Sequence, residues 1–169
     1  LGYIVYITFL VAVMQEQAAG PGLVSLVWVI VGVGIMVSPF VWSSLFSRHS
    51  SGVPLAMVML TMSIGTGLPV LTSHPVGLVL SAALFGVSVF MAPGAVTNFS
   101  RRNLPKEQWG TAVSLFTILF AIGQTIGPIA AGILADALND IGLSILVAGA
   151  ILLLGAVIAW FQKPLVRSA

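Results

Sequence analysis

Few side chains here could do chemistry, and they are scattered. Gln124 stands in the middle of an apolar run, where an amide costs free energy unless it is paired or faces a cavity. An interhelical hydrogen bond and a cavity-lining role are both open to it. Glu16, between Gln15 and Gln17, is the acid best placed to fall inside an apolar stretch. Buried, its carboxyl could take up and release protons; the Ala18-Ala19-Gly20-Pro21 that follows suits instead the wet end of a helix. Tyr3 and Tyr6 lie one helical turn apart, and either could line a polar route or anchor at an interface. Tyr6 is preferred for the route, since Tyr3 lies nearer the basic side. Asn98 could cap a helix, bond across helices or touch a gate.

No reaction centre emerges from these groups, and no enzyme, metal or cofactor is expected. Cysteine is absent, which removes thiol nucleophiles and thiolate metal sites. His49 and His74 are expected at opposite ends of the molecule, too far apart to share a metal or a proton. Neither a G-x-x-x-x-G-K-[ST] phosphate loop nor an H-E-x-x-H helix occurs. The six basic residues come in ones and twos between apolar runs, so nucleic acid is not an expected partner.

The elements that must position these side chains follow from composition. Of 169 residues, 59% are hydrophobic and 6% charged, against about 25% charged in an ordinary soluble domain. A water-facing surface would expose large apolar patches, whereas a lipid-facing one need not avoid them. The expected fold is all-α, a polytopic membrane protein of six transmembrane helices with the lipid bilayer as its first partner. The six runs are roughly Gly2–Ala18, Leu23–Phe46, Val53–Leu71, Val76–Phe99, Thr111–Ala135 and Gly142–Phe161. Each is close to the ~20 residues that cross a ~30 Å hydrocarbon core. The polar stretch Ser100–Gly110, with Arg101, Arg102, Pro105 and Lys106, separates the fourth run from the fifth.

Six crossings put both termini on one side. Arg48, Arg101, Arg102, Lys106, Lys163 and Arg167 then share that side, opposite Glu16, His74, Asp136 and Asp140. The positive-inside rule makes the basic side cytoplasmic, with the chain in the cell's inner (plasma) membrane. Leu1 opens directly in an apolar run without an initiator Met, which leads us to expect a piece of a longer chain. Residues 1–169 form one bundle, with possible sub-repeats 1–75 and 76–169.

The fifth run carries Gly123, Gly127, Ala131 and Gly132 at close-packing spacing, with Pro128 expected to bend the helix. Packing and a hinge are both compatible with that pattern. Trp28, Trp42, Trp109 and Trp160 are expected as an interfacial belt.

The chain resembles the C-terminal six-helix half of a major facilitator superfamily transporter, and more narrowly the YbfB/YjiJ-type branch. The resemblance covers essentially the whole chain. It is carried by Gly2–Tyr6 with Thr8-Phe9-Leu10, the Trp42–Arg48 turn, Leu80–Gly86, and Gly123–Pro128 through Gly132 and Asp136. Against the superfamily's G-x-L-A-D-R-x-G, Ser43–Ser50 keeps Leu45 and Arg48 but replaces both glycines and the acid with serine. The resemblance implies a 3+3 inverted repeat and secondary transport of a small solute by alternating access, with proton coupling open. Gln124, Tyr6, Glu16 and Asn98 would border the pathway, and Arg48, Arg101 and Arg102 would belong to the cytoplasmic gate or loop. Gly123, Gly127, Pro128 and Gly132 would be the packing or hinge positions. The other wall of the cavity would be a missing N-terminal half or a second copy. The competing expectation is a membrane scaffold that binds partner helices through small-residue faces.

Overall fold

The computed structural model describes residues 2–165, and among these the ordered elements are all helical. They are α1 (Gly2–Glu16), α2 (Pro21–Arg48), α3 (Val53–Leu71), α4 (Pro75–Gly86), α5 (Met91–Asn103), a 3-10 turn Lys106–Gln108, α6 (Trp109–Leu138) and α7 (Ile141–Trp160). Arg167, counted above with the basic side, lies outside the described residues. Among the described residues, five stretches are long and apolar enough to cross a membrane: Pro21–Arg48, Val53–Leu71, Pro75–Asn103, Lys106–Leu138 and Ile141–Trp160. The chain is a multi-pass membrane protein. Helix α1 has 15 residues and is about 22 Å long at ~1.5 Å per residue, short of a full crossing. Six full-length spans were expected; five and a shorter helix are found.

The fourth span departs from expectation, being two helices where one continuous run was read. Residues 87–90 form a turn between α4 and α5. Pro93 suits the restart, because in the first turn of α5 its missing amide hydrogen would have had no intrahelical partner. Glycines fix the turn's position. A β-carbon on Gly34 would lie 3.0 Å from the Gly86 backbone, and one on Gly86 would lie 2.6 Å from the Val31 carbonyl oxygen. The α2 and α4 backbones therefore touch where the break begins. Trp42, buried rather than in an interfacial belt, donates its indole N–H to the Val87 carbonyl at 2.7 Å. That satisfies a carbonyl inside the turn, which would be costly to leave bare at membrane depth.

Helix α3 lies along α7 and α4, α2 along α4, and α1 along α7 and α6. Hydroxyl-to-carbonyl bonds pin the pairs. Ser63 donates to Gly149 O at 2.8 Å, Ser81 to Gly65 O at 2.7 Å and Ser144 to Ala131 O at 2.8 Å. Such bonds and small-residue contacts hold membrane helices together where burying apolar surface gains little.

The two ends of the bundle differ in charge. At one end Asn103 joins Ser50, Arg102 joins Ser47, and Gly52 N–H donates to Gln162 O at 2.9 Å. Arg48, Arg101, Arg102, Lys106 and Lys163 gather there. At the other end Gln17 Nε2 donates to Pro69 O at 2.6 Å, and Asp140 caps α7 through Leu143 N–H at 3.0 Å. Glu16, Asp136, Asp140 and His74 belong to that end.

Helices α2 and α6 are counterparts in length and design. Pro39 and Pro128 stand 89 residues apart (128 minus 39). The same shift lays Pro21–Arg48 over Trp109–Leu138, and Val53–Leu71 over Ile141–Trp160, within one residue at every end.

Candidate functional site

Helix α1 carries two tyrosines on neighbouring turns, and each meets a different helix. Tyr3 stacks on Phe120 of α6, ring centroids 5.4 Å apart, and Phe116 follows at 6.0 Å from Phe120. Gln124 Nε2 donates to the Tyr3 hydroxyl oxygen. Phe116, Phe120 and Gln124 are spaced by four, so one side of α6 presents ring, ring and amide to α1. Gln124 is half-buried. Beside it Ser114, Thr117, Ala121 and Thr125 are all exposed, forming a narrow stripe of small and hydroxylated residues. Leu115, Ile118, Leu119, Ile122, Ile126, Ile129 and Ile133 form an exposed surface of bulky apolar side chains, which Ile118 brings up against Ser114, Ala121 and Thr125. Helix α6 thus shows two chemically different outer surfaces. A lipid-facing helix needs only the second.

Tyr6 faces inward instead. It is fully buried, 2.8 Å from Ser81 Oγ and stacked on Phe85 with centroids 3.9 Å apart. Ser81 in turn donates to Gly65 O, so Tyr6 closes a polar chain joining α1, α4 and α3. Leu10, Met14, Leu78 and Met62 surround it in the main apolar cluster. The structure does not bring Tyr6 and Gln124 together; Tyr3 is the tyrosine that Gln124 meets.

The remaining candidates sit at the ends. Glu16 is exposed at the last residue of α1, and Gln17 rather than Glu16 makes the contact to α3. Asn98 donates to Phe46 O at 3.1 Å, Arg102 to Ser47 O at 2.8 Å and Asn103 to Ser50 O at 2.7 Å. Three side chains of α5 therefore serve carbonyls at and just beyond the C-terminal turn of α2, groups that no intrahelical donor reaches. Arg102 also places a cation at the negative end of α2. Arg48 is exposed beside this knot, and Arg101 lies over Trp109, 5.5 Å from the ring centroid.

The glycine pattern of α6 is used within the chain. Gly127 and Ala131 are buried, Ala131 packs with Val5 and Ala148, and Gly132 approaches Phe9. Gly123 is half-buried, and α6 continues as one helix through Pro128.

Sequence reasoning passed over Ser81, Asn103 and the pairing of Tyr3 with Gln124, and it placed Trp42 in an interfacial belt. A hydroxyl in mid-span and an asparagine at a span end were the available signals. Both are polar groups that must find a partner at membrane depth. Among the described residues no group of three or more metal-ligating side chains occurs.

A family model described as "Uncharacterised MFS-type transporter YbfB" matches residues 1–160. No curated protein and no solved structure matches the chain.

Proposed function

The chain belongs to the YbfB-type family of major facilitator superfamily transporters, and from that premise we propose that it moves a small solute by alternating access as half of a larger transporter. The observation that carries the proposal is the double surface of α6. A stripe of Ser114, Thr117, Ala121 and Thr125 runs beside the Gln124–Tyr3 pair, next to the bulky aliphatic surface. Thr117 and Thr125 return their hydroxyls to Val113 O and Ala121 O of their own helix, so the stripe's support for a water-filled route is its small, polar side chains beside the Gln124 amide. Gln124 and Tyr3 border that wall. Tyr6 supports it from behind through Ser81, while Asn98 and Arg102 tie its inner rim beside the exposed Arg48.

The rim-to-rim charge difference supports an orientation with the basic end in the cytoplasm of a cell whose inner membrane holds the protein. The chain then leaves α7 on that side, while α1 runs from mid-depth, where Gly2 meets Ala148 and Leu152 of α7, to the acidic end. The 89-residue correspondence of α2–α3 with α6–α7 supports a 3+3 repeat divided near residue 75. Exchanging the halves also interchanges the pairings α1–α7 and α4–α3, and α1–α6 and α4–α2, while α3–α7 maps on itself. The opposing wall would be a second six-helix half, seated against the exposed faces of α2 and α6. The scaffold alternative loses its motive, because the close-packing residues of α6 are engaged by α1 and α7 of the same chain.

The test is uptake by the reconstituted transporter across a broad solute panel, with and without a proton gradient. Flux of at least one solute that responds to a gradient is expected. Inert vesicles across the whole panel would contradict the proposal.

A further inference from the structure

At the inner end of the α6 stripe lies a recess that hydroxyls alone do not account for. Thr97, Ser100 and Arg101 of α5 and Trp109, Gly110, Val113 and Ser114 of α6 line a space of about 380 Å³. Trp109 is fixed there because its indole N–H donates to Leu104 O at 2.9 Å. The Arg101 guanidinium rests over the ring, which desolvates one face of the cation and leaves its edges free. The adjacent Arg102 is differently employed, donating to the end of α2. A rule that merely collects positive charge at the inner face explains both arginines but not why one is held over an aromatic floor.

Gly110, Ser114, Thr117, Ala121 and Gln124 recur every three or four residues, so the recess opens onto the same side of α6 as the polar stripe. It does not open onto the Leu115–Ile122–Ile126 surface, where a lipid would lie. We propose that this recess receives the anionic group of the transported solute, a carboxylate or a phosphate, with Arg101 as its partner at the inner mouth. The proposal rests on the transport reading and adds the substrate class: small organic or phosphorylated anions. A planar guanidinium is suited to both groups because it can donate two parallel hydrogen bonds. The volume falls at the small end of the ~300–1,000 Å³ typical of small-molecule sites.

These 169 residues hold no cysteine, so Ser114→Cys, in a transporter whose other half is also made cysteine-free, places a single thiol in the recess. In the membrane-embedded protein, the rates of its reaction with an anionic and a cationic methanethiosulfonate reagent report the local charge. The anionic reagent is expected to react faster, by on the order of tenfold, as one nearby positive charge in a partly screened site would give. Millimolar lactate, citrate or inorganic phosphate should slow the reaction, with at least one of the three effective. Arg101→Gln should abolish both effects, whereas Arg101→Lys should keep the charge preference and weaken the protection. A charge preference that survives Arg101→Gln, or protection by none of the three anions, overturns the proposal while leaving transport standing. Protection by phosphatidylglycerol vesicles but not by the soluble anions makes the site a lipid headgroup site and also overturns it. A thiol inert to both water-soluble reagents overturns the aqueous route itself.

Discussion

Tyr3 and Tyr6 share a helix, a chemistry and nearly a register, yet one joins a closed junction and the other an open seam. Around Tyr6 the hydroxyl chain to Ser81 and Gly65 is sealed by Phe85, Leu10 and Leu78. Around Tyr3 the partner is a half-buried amide, and exposed Ala121 and Thr125 stand beside it. A polar side chain inside a membrane bundle therefore has two uses. Sealed on every side, it specifies which helices meet; bordering a gap, it is available to a solute. Residue type does not separate the two, but the size and polarity of the next neighbours do.

The difference can be broken most forcefully from the closed side. Tyr6→Ala removes a buried ring and leaves Ser81 without its partner. It should lower thermal stability in detergent by about 3 kcal/mol or more, seen as loss of folded, monodisperse protein. A variant that keeps wild-type stability would show the junction to be as loose as the seam. Trp42→Phe is the next largest, since the Val87 carbonyl in the α4–α5 turn loses its donor. A loss of about 1–2 kcal/mol is expected from the same melting measurement.

On the open side the sign of the comparison reverses. Gln124→Leu should cost less than about 1 kcal/mol of stability, the usual worth of one interhelical hydrogen bond in a membrane. Its solute flux should nevertheless fall by on the order of tenfold, equivalent to about 1.4 kcal/mol. Equal losses in folding and flux would move Gln124 into the same class as Tyr6. The smallest effect concerns Ala18, which follows α1 with φ of 57°. Ala18→Gly relieves the left-handed strain and should raise stability by up to about 1 kcal/mol without altering flux. A lowered melting temperature would count against the turn geometry that ends α1.

Much of the scaffold was legible in the residues. Apolar run lengths located α2, α3, α6 and α7, and the basic residues located one end of the bundle. The α4–α5 break was not, because hydropathy is blind to a helix interruption among apolar residues. Its signals were Gly86 and Pro93, and only the approach of Gly34 on another helix gives Gly86 its meaning. The site was legible in part. Gln124 stood out because an amide amid isoleucines demands a partner, but the partner is 121 residues away and was set by packing. Tyr6 was favoured over Tyr3 on depth along the helix, whereas what divides them is rotation about it.

The most direct measurement compares Ala121→Cys with Ser81→Cys in the membrane-embedded protein, using a small water-soluble thiol reagent. The α6 stripe should be wet and the Tyr6 junction dry, so Ala121→Cys should react and Ser81→Cys should stay unmodified until the protein is unfolded. Reaction at Ser81→Cys with none at Ala121→Cys, or no reaction at either, would contradict an aqueous route along α6.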